Sequence, residues 1–219
     1  MSQEIMNLNE RIKAELDQVR NSTPTPSTNS ISTKGKMFTF PDGQSHPGPL
    51  NAVILDWRNF NRYYTKAYDP QNPTPPDCFA IAKDLGEMAP HEDASDPQSE
   101  KCQGCPMNEF GSAATGRGKA CRNTVRLAVV PPDADDSFEP WLLNVAPTSL
   151  KSWTSYVNQL QAVGKLPIQS VAEIAFKSDA AFPQLVFTAR DALDEDRVMQ
   201  LWNLREKAQM QLDAPPAVD

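Results

Sequence analysis

No stretch of this sequence approaches the eighteen or so consecutive apolar residues that a membrane-spanning helix needs. The charged opening, MSQEIMNLNERIKAELDQVR, lacks the apolar centre of a secretory signal, so the expectation is a cytoplasmic protein with no membrane role. Imidazole is scarce: His46 and His91 are the only histidines in 219 residues, and neither sits in a context that suits a general base. No G-x-x-x-x-G-K-[ST] phosphate loop is present; ATGRGKAC has its flavour but lacks the spacing and the hydroxyl after Lys119. Carboxylates do not cluster at strand ends as a metal-dependent nuclease requires, and Asp56 beside Arg58 reads as a strand-edge ion pair. These absences together predict a binding protein and not an enzyme.

Acid is missing from one long stretch. The formal net charge is -7, yet no Asp or Glu falls between Phe110 and Pro132, where Arg117, Lys119, Arg122 and Arg126 lie. Acids collect in DLGEMAPHEDASDPQSE (84–100) and RDALDEDR (190–197) instead. A polyanion responds to the local field of a patch, so the net charge weakens a nucleic-acid reading without excluding it.

What is present is a loop-rich chain with 20 prolines and 39% hydrophobic residues, long enough for one sizeable core. Residues 1–20 carry Ile5, Leu8, Ile12, Leu16 and Val19 at near-helical spacing, an amphipathic arm for packing or oligomerisation. Residues 21–33 read as a polar, Pro-rich linker. The body, 34–190, opens with a short strand ending in a Pro-Asp-Gly turn, then a long strand over 52–64 and a hairpin partner over 77–84. Buried strands follow at 123–131 and 140–147. A helix comes next, with Leu150, Trp153, Val157 and Leu160 on one face, Thr148 or Ser149 as its cap and Gly164 as its stop. Two closing strands (168–177, 183–189), a C-terminal helix (191–212) and a disordered tail (213–219) complete the reading. One helix before a closing hairpin suits a mainly β, OB-fold-like antiparallel barrel better than a sandwich.

All four cysteines fall within 78–121, spaced C-x23-C-x2-C-x15-C: Cys78, Cys102, Cys105 and Cys121. Two thiolates two residues apart can turn onto one ion, and the outer pair completes a tetrahedron, so a structural zinc ion is expected. The alternatives are two disulfides, which want an oxidising compartment, or unconnected thiols. His91, among acids, is a weaker candidate ligand. Such a zinc would tether the loop GRGKACRN beside the barrel.

The segment DWRNFNRYYTKAY (56–68) carries five aromatics among three cations. Simple alternation puts Val53, Leu55 and Trp57 on a core face continuing to Asn59 and Asn61. The opposite face then reads Arg58, Phe60, Arg62, Tyr64 and, if the strand continues, Lys66 and Tyr68. Rings stack on unpaired bases and cations follow the phosphates, so with Arg117, Lys119, Arg122 and Arg126 this face is a candidate single-strand groove. Rings that merely cover an apolar edge beneath arginines would give the same pattern.

The blocks DWRNFNRYYTKAYDPQNPTPPDCFAIAKD, CQGCPMNEFGSAATGRGKACRN and PTSLKSWTSYVNQL resemble those of phage-type zinc-containing single-stranded DNA-binding proteins, over about residues 37–190. The resemblance implies an OB-fold that coats single-stranded DNA during replication and recombination, in the host cytoplasm and with no catalytic residues. It also implies binding through Arg58, Phe60, Arg62, Tyr64, Lys66 and the basic loop; replication proteins are candidate partners, and the sequence leaves RNA open as a second ligand. Self-association would use the N-terminal or C-terminal helix. One departure is the tail, LDAPPAVD, with two acids and no ring where such proteins carry a strongly acidic end. The competing reading is a zinc-stabilised protein-interaction module acting on a polymerase or another replication or transcription protein, with Arg and Tyr of the aromatic strand as anchors.

Overall fold

The computed structural model describes residues 29–66 and 74–216. Alternating apolar side chains between turn residues build nine strands: β1 (Ser30–Ile31), β2 (Phe38–Thr39), β3 (Ser45–His46), β4 (Leu50–Tyr63), β5 (Cys78–Ala82), β6 (Arg122–Val130), β7 (Trp141–Val145), β8 (Ser170–Phe176) and β9 (Leu185–Ala192). Helix α1 (Leu150–Ala162) precedes β8, and α2 (Glu195–Asp213) closes the chain. The main sheet runs β1-β7-β6-β4-β8-β9, with β5 on the second half of β4, and curls into a half-barrel. Every pairing is antiparallel except β1 with β7, and β2 and β3 form a separate hairpin. The described residues are thus mainly β with two helices.

The sheet is apolar on both faces, and each face takes a helix. On the concave side Leu50, Ala52, Ile54, Val125, Leu127, Val129 and Leu143 pack against Trp153, Tyr156 and Leu160 of α1. Of the four α1 positions expected on the packed face, Trp153 and Leu160 are buried, while Leu150 and Val157 are half-buried. Ser149 stands at the cap position but accepts the Leu185 N–H (2.8 Å), tying α1 to β9 instead of capping it. On the convex side Val53, Leu55, Ala128 and Val130 meet Leu201, Leu204, Ala208 and Leu212 of α2. Asp194 caps α2 by accepting the Arg197 N–H (2.7 Å).

The expected single core face of β4 is corrected by a bulge. Ile54 pairs with Val129 and Asp56 with Ala128, so the strand carries one extra residue at Leu55. The inserted residue inverts the alternation beyond it. Val53 and Leu55 face α2, whereas Trp57, Asn59 and Asn61 continue the α1 face of Ile54.

The linker boundary is also corrected: Ser30–Ile31 is a strand on β7, with Ile31 buried and the Asn29 amide donating to the carbonyls of Glu139 and Pro140. The expected arm (1–20), most of the linker, Tyr68 and the last tail residues lie outside the described residues. At the near end of the tail, Ala214 accepts a hydrogen bond from Arg126 (2.9 Å). No described helix is long and apolar enough to cross a membrane.

Candidate functional site

The cysteines converge. Cys78 begins β5 opposite Tyr63, Cys121 directly precedes β6, and Cys102 and Cys105 flank a knuckle. The knuckle is held by Cys105 N–H to the Cys102 carbonyl (3.4 Å), by the Asn108 amide to the same carbonyl (3.0 Å) and by Cys102 N–H to the Met88 carbonyl (2.9 Å). The Cys121 N–H donates to the Met107 carbonyl (2.7 Å), closing the return. All four free thiols line one small cavity of about 20 Å³, together with Asn61, Phe79 and Met107. Burial, and secondarily the neighbouring thiols, push Cys121 up to about 12; burial likewise raises Cys78 and Cys102. Among the described residues, no three His, Cys, Asp or Glu side chains stand close enough, as they are, to grip a metal ion. The donor set itself, four thiols around one cavity, has the chemistry of a closed zinc site. His91 is not part of that lining; its ring stacks on Phe79 at 4.9 Å and its Nδ1 accepts the Asp93 N–H.

The cation-and-ring face of β4 is present but covered, which corrects the expected stacking floor. Phe60 is 1% exposed, packed with Phe79 and Ala94. The guanidinium of Arg126 lies 4.2 Å and that of Arg62 4.9 Å from its ring centroid. Arg58 makes a two-pronged pair with Asp213 (2.6 and 2.9 Å), and the buried Arg126 donates to the carbonyls of Leu212 (3.3 Å) and Ala214 (2.9 Å). The C-terminal end of α2 therefore sits over this face, its carbonyl-rich terminus complementing the guanidinium groups. Arg62 opposes Arg122 across the β4–β6 pair, and Arg122, Tyr64, Lys66 and Arg117 reach solvent.

Asp56 is the hinge of that packing; its expected ion pair with Arg58 is present, at a buried carboxylate that several further groups share. It is 1% exposed and accepts from Trp57 N–H (2.9 Å), Gln209 (2.9 Å) and Lys83, with Arg205 at 3.3 Å and Arg58 at 3.4 Å. Burial alone would raise this carboxyl, but the bonds from Lys83 and Gln209 and the Lys83 charge prevail and hold it at about 2. The geometry follows from the sheet: β8 pairs with β4 only up to Val53 and β5 only from Asn59, leaving an edge gap that Lys83 fills. From there its ammonium lies 3.1 Å from the centre of the Trp57 ring.

The concave face beyond the bulge opens into a groove of 890 Å³. Trp57, Asn59 and Asn61 of β4 and Asn123 of β6 form its floor, with the Asn123 amide donating to Asn61 (2.7 Å). Trp153, Thr154 and Asn158 of α1 make one wall; Lys83 to Gly86, Met88 and the thiol loop, with Asn108 and Lys119, make the other. Asp84 is the single acid in a lining with five asparagines and two lysines. Simple alternation assigns Trp57, Asn59 and Asn61 to the core face of Val53 and Leu55 instead. The signal that could have found the groove is the pair of asparagines itself, since amides at core positions ask for polar partners. Of the expected basic loop residues, Lys119 reaches the groove and bonds Asn108 (3.2 Å), whereas Arg126 is committed to α2. No protein-family model matches this chain, nor does any curated protein or solved structure.

Proposed function

We propose that this is a single-stranded DNA-binding protein that holds exposed strands with little sequence preference and performs no chemistry on them. The observation that carries the reading is the groove between β4, β6, α1 and the thiol loop, whose lining carries five asparagines and two lysines against one acid in a chain of net charge -7. Amides can donate to and accept from base edges of any kind, and Lys119, the groove lysine not bound to Asp56, can follow phosphates. Arg117, Arg122, Tyr64 and Lys66 are exposed to solvent. The meander β4-β6-β7, a helix, and a hairpin β8-β9 returning to β4 support an OB-fold-like plan. In this reading Cys78, Cys102, Cys105 and Cys121 hold a structural zinc ion that fixes the wall carrying Lys119. The reading extends, as the sequence resemblance implies, to a role in phage DNA replication and recombination in the host cytoplasm.

Titration with oligothymidine and with duplex DNA at two salt concentrations tests this. The expected result is micromolar or tighter binding to the single strand, weakening steeply with salt, and much weaker binding to the duplex. Equal affinity for both, or no binding at low salt, overturns it. An oligouridine arm decides between DNA and RNA.

A second reading, a zinc-stabilised protein-interaction module, is favoured by a different surface. Met199, Trp202 and Met210 are exposed on the outer side of α2, a position suited to a protein anchor. Retention of a replication protein by the wild type, abolished by Trp202→Ala, together with failure to bind oligothymidine, would favour that reading.

A further inference from the structure

We infer that Phe110 is a base-stacking finger at the mouth of the groove, an inference that rests on the single-strand reading above. Phe110 is 83% exposed, the most exposed of the large apolar side chains in the described structure. A lone exposed ring is ordinary in itself. Three further observations distinguish this one.

The first is that the backbone carrying it is held. Gly111 N–H donates to the Gly118 carbonyl (2.7 Å), and the Ser112 hydroxyl shares its one proton between the carbonyls of Met107 (2.9 Å) and Glu109 (2.6 Å) while accepting the Ala120 N–H (2.9 Å). Gly111, at φ +96°, turns the chain immediately after the ring in a conformation that other residues rarely adopt. The loop is thereby pinned between Cys105 and Cys121, and the ring is presented without being packed.

The second is its companion. The Lys119 ammonium lies 5.2 Å from the Phe110 ring centroid, within cation–π range, and its other contact is Asn108 in the groove lining. One lysine thus touches both the ring and the groove, so a strand leaving the groove meets a ring and a cation together, the pairing that unpaired bases and their phosphates require. The third is the charge along the loop: Glu109 is the last acid before an acid-free run to Pro132, in which Arg117 and Lys119 follow the ring within the same loop.

The test compares oligothymidine binding by the wild type, Phe110→Ala and Phe110→Trp. Because the ring is exposed, both variants should keep the wild-type unfolding midpoint and metal content. Phe110→Ala should lose roughly 5- to 150-fold in affinity, the equivalent of about 1–3 kcal/mol for one stacked base. Phe110→Trp should bind as well as the wild type, and its added emission should be quenched on binding. If the wild type binds and Phe110→Ala binds equally, or the new tryptophan is not quenched, the finger is overturned while single-strand binding stands. If the wild type itself does not bind, the single-strand reading fails and the finger with it.

Discussion

Arg126 lies 4.2 Å over the ring of Phe60 and donates from the same guanidinium to the carbonyls of Leu212 and Ala214. One contact therefore joins the middle of β4 to the end of α2, and it turns a ring that alternation would give to solvent into core. Phe60→Ala is expected to destabilise the fold by about 3–5 kcal/mol, as large-to-small changes at buried rings do. Tyr64→Ala, at an exposed strand end, should stay within about 0.5 kcal/mol of wild type. Urea unfolding of the two variants checks this; equal stability of both would mean that Phe60 is not core.

Asp56 makes stability depend on acid. Its carboxyl is held at about 2, below the ordinary 3.8, so the folded state favours the charged form. That contribution, about 2 kcal/mol, is fully present above the unfolded value and lost as pH falls through about 2. Asp56→Asn should be less stable by about 3–5 kcal/mol at neutral pH, because Lys83, Arg58 and Arg205 lose their shared anion. It should also flatten the profile between about pH 4 and 2. Thermal unfolding at a series of pH values measures both effects, and an unchanged acid limb in Asp56→Asn would contradict the assignment.

Much of this architecture was legible in the sequence, and the failures have physical causes. The strands near 52–64, 123–131, 140–147 and 168–177, and both helices, follow from period-2 and period-3.6 patterning. The four cysteines in one region predicted one cluster, and they line one cavity. The bulge was invisible because Ala52 to Leu55 is apolar throughout, so an extra residue leaves no break in the pattern. The covering of Phe60 and Arg58 could not be read either, since Leu212 and Asp213 lie some 150 positions away. The groove was hidden by the same parity error that sent Asn59 and Asn61 inward.

Metal is expected to be tied to the loop that carries Lys119. The reduced protein should contain one zinc per chain, and Cys102→Ser with Cys105→Ser should lose it. Protease cleavage within 106–120 should then accelerate while the β4–β6 core stays protected. A reduced protein with no bound zinc, or a double variant whose loop is cleaved at the wild-type rate, would remove the metal from the account.

An acid placed in the groove should repel the strand without disturbing the fold. Asn158 is exposed on α1 at the groove wall, so Asn158→Glu should change stability by less than about 0.5 kcal/mol. Its affinity for oligothymidine should fall several-fold at low salt and approach wild type as salt rises. Lys119→Gln should reduce the slope of log affinity against log salt by about 1. Unaltered binding in both variants would place the strand elsewhere on the protein.

The central claim is that a single strand lies in the concave groove and not on the outer face of β4. Photocrosslinking of a halogenated deoxyuridine oligonucleotide, with the attached peptides identified by mass spectrometry, reads the location directly. Crosslinks in 102–121 and 150–158 are the predicted result. Crosslinks confined to α2, residues 195–213, would contradict the account.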